Sequence, residues 1–321
     1  MKAAVLTEQG VAVRDVPRPQ PKPTQVLVRV HACGLNRADL VMASGQKHGA
    51  MGGAGAIAGM EAAGEIAEVG TEAADFKPGD RVMCAGSATF AEYAAIDFGR
   101  AIRIPVDMTF ERAATLPIAL NTMHDALITN GRLRAGESVL IQGASTGVGL
   151  MGLQIAKLKG ARVVIGTSTH AERRGRLGEF GADLALDSRD PTWVEAVTAA
   201  TSGGVDLIID MLSGYVANQN MQAVKVLGRI VNIGRLGGMT GEFDYDLHSR
   251  KRIAYIGASF RTRSIEEIRE INRRMRAELW QAVMAGTLHL PIDHTFPLDR
   301  IEAALAHARA NRHFGKIVLT V

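Results

Sequence analysis

The sequence predicts an α/β protein of two domains: a small, mainly β domain drawn from both ends of the chain, and a doubly wound parallel-sheet domain set into its middle. Three observations carry this reading. The chain has 321 residues, more than a single hydrophobic core usually fills. Its first third consists of short strand-like runs punctuated by Gly, Pro and Asp. Its middle alternates strands with helical stretches, the pattern of a parallel sheet covered by helices on its faces.

The elements follow in chain order. "QVLVRV", "AAGEIAEVG", "DRVMCAG" and "FAEYAAI" read as strands joined by turns such as "KPGD". From Asn121 onward "SVLIQ", "ARVVIG", "ADLALD", "VDLIID", "GRIVNIG" and "RIAYIG" supply the strands of the second domain. In "SIEEIREINRRMRAELWQAVMAG", Ser264 and Glu267 form a capping box and Ile265, Ile268, Met275, Leu279 and Val283 make one helical stripe. On that helix Arg269, Arg273, Arg274 and Arg276 are matched by Glu266, Glu267, Glu270 and Glu278, which reads as a solvated face. The closing "FGKIVLTV" is again a strand, so the expected boundaries are 1–117 with 258–321 for the mainly β domain and 118–257 for the inserted one.

Composition excludes several classes. With 47% hydrophobic and 22% charged residues the chain is neither disordered nor fibrous. Lys and Arg number 37 against 33 Asp and Glu, an excess that a bound phosphate explains as well as nucleic acid does. Cys33 and Cys84 are the only cysteines, too few for a disulfide framework or a four-thiolate zinc site. The opening "MKAAVLTEQGVAVRD" meets charged residues before any apolar run develops, and no later run has the length of a membrane span. The expectation is a soluble, cytoplasmic protein without a membrane or nucleic-acid partner.

The stretch "VLIQGASTGVGLMGLQIAKLKGARVVIGTSTHAERR" carries the chemistry. A strand, a small-residue turn and a helix bring backbone N–H groups together at a helix N-terminus, where an anion is favoured and a pyrophosphate can approach. Ser145, Thr146, Gly147, Val148 and Gly149 are the residues expected against it. The same glycines match the "TGxxxGxG" pattern of short-chain dehydrogenases, which also need YxxxK. Four places after Tyr93, Tyr215, Tyr245 and Tyr255 stand Asp97, Gln219, Ser249 and Ser259, so that pair is absent.

The end of the second strand selects the dinucleotide. NAD sites place an Asp or Glu there on the ribose 2′-hydroxyl, whereas "GTSTHAERR" has no carboxylate before Glu172. Thr167 and Ser168 are small donors at that place, and Arg173 or Arg174 can pair with a 2′-phosphate. NADPH is therefore the expected cofactor, the alternative being that both arginines lie on a solvated helix face.

Taken in order, "ACGLNRADL", "GMEAAGEIAEVG", "FKPGDRV", "LIQGASTGVG", "GVDLIIDMLSG", "GRIVNIG" and "ANRHFGKIVLT" resemble the medium-chain dehydrogenase/reductase superfamily, and within it the zinc-lacking, zeta-crystallin-like quinone oxidoreductase branch. The resemblance covers nearly the whole chain. It implies a GroES-like mainly β catalytic domain, a Rossmann nucleotide-binding domain, and a homodimer joined through the edge strand "RIAYIGASF". The zinc branch carries Cys-Gly-x-Cys-His and Gly-His-Glu where this chain has Cys33-Gly34-Leu35-Asn36 and Gly59-Met60-Glu61. Asn carboxamide and Met thioether are poor zinc ligands, so no metal is expected.

The resemblance implies hydride delivery from NADPH to a quinone or a conjugated enone, with an enoyl-thioester as the neighbouring alternative. It places Asn36 near the nicotinamide, its NH₂ set to hydrogen-bond the oxygen that gains charge, unless it only caps a turn. It places Thr122 near the nicotinamide-side phosphate, unless its hydroxyl only starts a helix, and Gly234 of "GRIVNIG" at the cofactor. Related reductases commonly have a Tyr soon after the Asn motif, whereas this chain has "SGQKHGAMGGAGAIAG". His48 in that loop is a candidate proton donor or a surface histidine, and Lys47 a candidate for steering an anionic substrate. His289 and His294 are read as structural. Asp210 either touches the cofactor or caps the following loop. The missing Tyr also leaves open an NADPH-binding sensor, scaffold or RNA binder without turnover.

Overall fold

A computed structural model describes residues 1–8 and 10–321. Strands form where β-branched and small apolar residues run together, in chain order β1 (Lys2–Thr7), β2 (Gly10–Asp15), β3 (Gln25–Gly34), β4 (Glu61–Val69), β5 (Arg81–Ala85), β6 (Tyr93–Asp97), β7 (Ala101–Arg103), β8 (Ser138–Ile141), β9 (Val163–Thr167), β10 (Leu184–Leu186), β11 (Val205–Asp210), β12 (Val224–Asn232), β13 (Ala254–Gly257), β14 (Ile292–Pro297) and β15 (Lys316–Thr320). The chain divides into two compact units, one of residues 1–118, 260–284 and 289–321 and one of 119–259 and 285–288. The short segment Ala285–Leu288 thus groups with the second unit, whereas the sequence assigned it to the mainly β domain.

In the first unit the described strands of the main sheet run in the order β14-β15-β3-β4-β5-β7, with β6 also paired to β3, and β1 and β2 form a separate antiparallel ribbon. Alternate residues of β3 (Val26, Val28 and Val30) join Ile66, Val82, Phe90, Ile96 and Leu319 in one buried core. The C-terminal strand meets the strand that leads into the Asn36 motif. β15 lies antiparallel to β3 with Leu319 opposite Cys33, and Leu35 N–H donates to Ile317 O at 3.0 Å. That register carries Lys316, the first residue of β15, alongside Asn36.

The helix Ile265–Met284 has the predicted capping box, Ser264 N–H to Glu267 Oε2 at 2.8 Å and Glu267 N–H to Ser264 Oγ at 3.2 Å. Its buried face is Ile271, Asn272, Met275, Leu279 and Val283, so Ile265 and Ile268 lie toward the edge of the expected stripe. Arg269 departs from the expected solvated face. Its guanidinium grips Asp97 in a two-pronged pair at 2.9 and 2.7 Å and stacks 4.5 Å from the Phe98 ring centroid, anchoring the helix on the loop after β6.

In the second unit the described strands form a parallel sheet in the order β10-β9-β8-β11-β12-β13. Val139, Leu140, Ile141, Leu207, Ile208 and Ile209 are fully buried, as expected for central strands covered on both faces. Strand order reverses between β8 and β11, and such a switch point opens a crevice at the carboxyl ends of the strands. β13 pairs only with β12 among the described strands and forms one edge.

Candidate active site

The turn after β8 meets the helix Gly147–Leu158 at that switch point. Thr146 is the N-cap: its hydroxyl accepts from Gly149 N–H at 3.0 Å and donates to Gly143 O at 3.1 Å. A methyl group on Gly149 would lie 2.6 Å from Ala144 Cα, so only glycine lets the helix pack so closely on its own turn. Gly147 and Val148 form the half-buried first turn of the helix. Its remaining N-terminal N–H groups need acceptors, and the turn is shaped to offer them to an anion.

Behind the turn a polar relay fixes its shape. Thr167 accepts from Gly143 N–H at 3.0 Å and donates to Gln142 Oε1 at 2.7 Å, and Gln142 Nε2 donates to Asn220 Oδ1 at 2.7 Å. Thr167 is 0% exposed. The expectation that its hydroxyl faces a 2′-phosphate is corrected here: it builds the turn, because an unpartnered hydroxyl at full burial would be costly. Ser168, the next residue, pairs its hydroxyl with that of Ser145 at 2.9 Å. Arg174 donates to Ser168 O at 2.8 Å and to Asp187 Oδ2 at 3.1 Å, which commits it to holding the loop. Arg173 lies half-buried on the short helix Ala171–Gly175.

Across the switch point, Asp210 ends β11 fully buried, and its Oδ1 accepts from Leu212 and Ser213 N–H at 2.8 and 2.9 Å. Of its two expected roles it has the loop-capping one, and burial raises its pKa above the ordinary carboxylate range. Gly234 follows β12, where its carbonyl accepts from Ser213 Oγ at 2.7 Å and Asn232 Nδ2 at 3.2 Å. Beside it is a cavity of about 200 Å³ lined in part by Ser213, Asn232, Arg235, Thr240 and Tyr255. Thr122 lies half-buried in the helix Pro117–His124.

In the first unit Asn36 stands at the N-cap of the helix Arg37–Ala43. Asp39 accepts from the Asn36 N–H at 2.8 Å. The Asn36 carboxamide joins a buried cluster. Asn36 Nδ2 donates to Glu61 Oε1 at 2.8 Å and Gly34 O at 3.2 Å, and Asn36 Oδ1 accepts from Lys316 Nζ at 2.9 Å. Lys316 Nζ is 2.5 Å from Glu61 Oε1, while Glu61 Oε2 accepts from Ile118 N–H at 2.9 Å. Glu61 is 0% and Lys316 5% exposed. A Cβ on Gly34 would lie 2.6 Å from Glu61 Oε1, so the carboxylate has its place because residue 34 lacks one.

Burial pushes the Asp39 carboxyl up to about 7, against the opposing pull of the Asn36 N–H and the Lys316 ammonium. Cys33 is fully buried, and its thiol donates to Thr89 O at 3.0 Å. Burial pushes that thiol well above the ordinary cysteine range. His48 and Lys47 lie on the loop before β4, Lys47 exposed and His48 half-buried, its backbone bridged to Met51.

Sequence reasoning missed Glu61 and Lys316. A signal was present in both cases: each is a charged residue that opens its strand directly before small or apolar residues, in "GMEAAGEIA" and "FGKIVLTV". The donor set does not suit zinc. Asn36 Oδ1 and Glu61 Oε1 already face an ammonium, whose charge opposes a second cation.

Residues 22–106 match the alcohol dehydrogenase GroES-like domain family and residues 147–277 the zinc-binding dehydrogenase family. Quinone oxidoreductase from Rattus norvegicus is 31% identical over 311 residues, 95% of this chain and 92% of that protein. The chain belongs to the medium-chain dehydrogenase/reductase superfamily. Within it the chain groups with the quinone oxidoreductases and is an oxidoreductase. It is also 33% identical over 300 residues to polyketide synthase GfsB from Streptomyces halstedii, covering 92% of this chain but only 5% of that protein's length. A mycobacterial protein solved in complex with NADPH superposes with a TM-score of 0.89 at 26% identity, covering all of both chains. The family membership makes a nicotinamide dinucleotide the cofactor and a small molecule the substrate. Among the described residues no helix is long and apolar enough to cross a membrane.

Proposed function

We propose that this chain is an NADPH-dependent, zinc-independent reductase that delivers hydride to a quinone or a conjugated enone. The observation that carries the reading is the conjunction of a nucleotide-binding turn at the switch point with a buried ammonium, that of Lys316, among the donors at the zinc branch's ligand positions. The turn fits the dinucleotide: Ser145, Thr146, Gly147, Val148 and Gly149 hold its pyrophosphate, while Thr122 and Gly234 serve the nicotinamide side. When bound, the reduced nicotinamide supplies the hydride.

NADPH rather than NADH is favoured by the end of β9, where no carboxylate stands before Glu172 and two arginines follow it. Arg173, half-buried on the helix Ala171–Gly175, takes the 2′-phosphate. Asn36 presents to the acceptor's oxygen the amide hydrogen that now rests on Gly34 O at the longer distance of 3.2 Å. Charge that develops on that oxygen then meets a preorganised donor. The one proton that completes the reduction comes from solvent or from His48, giving a hydroquinone or a saturated ketone.

The similarity to a segment of a polyketide synthase favours a second reading, an α,β-unsaturated acyl thioester as the acceptor. Anaerobic incubation with NADPH and, separately, an ortho-quinone, an enone and a 2-enoyl thioester, with products identified by mass, decides between them. Preferential saturation of the thioester moves the assignment to the second reading. We also propose a cytoplasmic homodimer, with β13 at the interface and the two buried thiols suited to a reducing compartment.

A further inference from the structure

We infer that Lys316 is a positioning residue that acts through Asn36, and that with Glu61 it forms a built-in ion pair where the zinc branch keeps its metal. The proposed reaction does not by itself require this geometry. An ammonium and a carboxylate bracket one carboxamide: Lys316 Nζ meets Asn36 Oδ1 at 2.9 Å and Glu61 Oε1 meets Asn36 Nδ2 at 2.8 Å. The two charges also meet each other at 2.5 Å, both almost wholly buried. Rotating the amide by half a turn would set NH₂ against ammonium and oxygen against carboxylate, two repulsions in place of two charge-assisted bonds. The pair therefore permits one orientation.

That orientation directs one amide hydrogen at Glu61 and the other at Gly34 O, the longer bond, which an acceptor's oxygen would take over. Lys316 also withdraws electron density from Oδ1, which makes that hydrogen a better donor. Gly34 allows Glu61 in, the β3–β15 register brings Lys316 in, and Ile118 N–H holds the second carboxylate oxygen. The position is thus assembled by residues from four separate stretches of the chain.

The role rests on the proposed reduction, so its test includes a measurement that needs no substrate. In ¹⁵N-labelled protein the Asn36 carboxamide signals, assigned by their loss in Asn36→Ala, are compared between wild type and Lys316→Met. Glu61→Gln/Lys316→Met serves as a second variant that leaves no lone buried charge. Displaced and faster-exchanging carboxamide protons are expected in both, with NADPH affinity unchanged. In turnover a kcat about tenfold lower or more is expected for Lys316→Met, with no further loss when Lys316→Met is added to Asn36→Ala. Unchanged carboxamide signals in the two variants would overturn the inference whether or not any quinone is reduced. Additive kinetic losses would overturn it too, while absence of turnover by wild type with displaced signals would count against the reductase reading alone.

Discussion

The Lys316 ammonium lies 2.5 Å from Glu61 Oε1 with both residues removed from solvent, although 255 positions separate them in the chain. Such a pair is a poor source of net stability but a severe liability when broken, because the survivor is a lone buried charge. Lys316→Met is expected to lower unfolding free energy by about 3–5 kcal/mol. Glu61→Gln/Lys316→Met should recover most of that loss. Urea titrations of the three proteins check both statements, and equal midpoints for single and double variants would contradict them.

Arg173→Ala is expected to weaken NADPH binding by roughly ten- to a hundredfold, the worth of one charge-assisted hydrogen bond of about 1.5–3 kcal/mol. NADH has no 2′-phosphate, so its affinity should stay unchanged. Fluorescence titration of both nucleotides reads this directly. Parallel losses for the two would assign Arg173 to the fold instead.

Gly149→Ala places a methyl group 2.6 Å from Ala144 Cα and 2.7 Å from its carbonyl oxygen. Since both contacts are backbone, the turn and the helix must separate. A loss of about 1–3 kcal/mol in stability is expected, together with weaker NADPH binding because the turn opens. Thermal melts with and without nucleotide measure the two effects. A variant as stable and as tight as wild type would show that the turn yields easily.

Asp39 gives the protein a pH dependence with a defined sign. Its folded pKa of about 7 lies above the ordinary 3.8, so between those values the folded state binds more protons than the unfolded. Stability from this group is fully present below the lower value and is lost as pH rises toward the upper one. From pH 5 to 8 wild type should lose about 2–3 kcal/mol relative to Asp39→Asn, at roughly 1.4 kcal/mol per unit. Denaturation of both proteins across that range checks it; parallel curves would place the Asp39 pKa near its ordinary value.

Much of the fold was legible in the sequence because its signals are local. The strands of the second unit announce themselves in runs such as "VDLIID", and Ser264 with Glu267 marks a helix start within four residues. What escaped depends on contacts between distant segments. Arg269 looks like one charge among many until β6 brings Asp97, 172 residues away, beneath it. Thr167 looks like a ligand donor until full burial and Gln142 give its hydroxyl another partner. Asn36 was found from resemblance. The residues that orient it were not, because a lysine opening a strand carries no local mark of a partner 280 positions earlier.

The central claim is most directly tested by anaerobic NADPH oxidation with an ortho-quinone and with an enone, using protein dialysed against a chelator and assayed for zinc. The account predicts turnover that survives complete removal of zinc and falls sharply in Asn36→Ala, with hydroquinone or saturated ketone as product. Turnover that disappears with the metal and returns when zinc is added would contradict it, as would NADPH binding without oxidation by either acceptor.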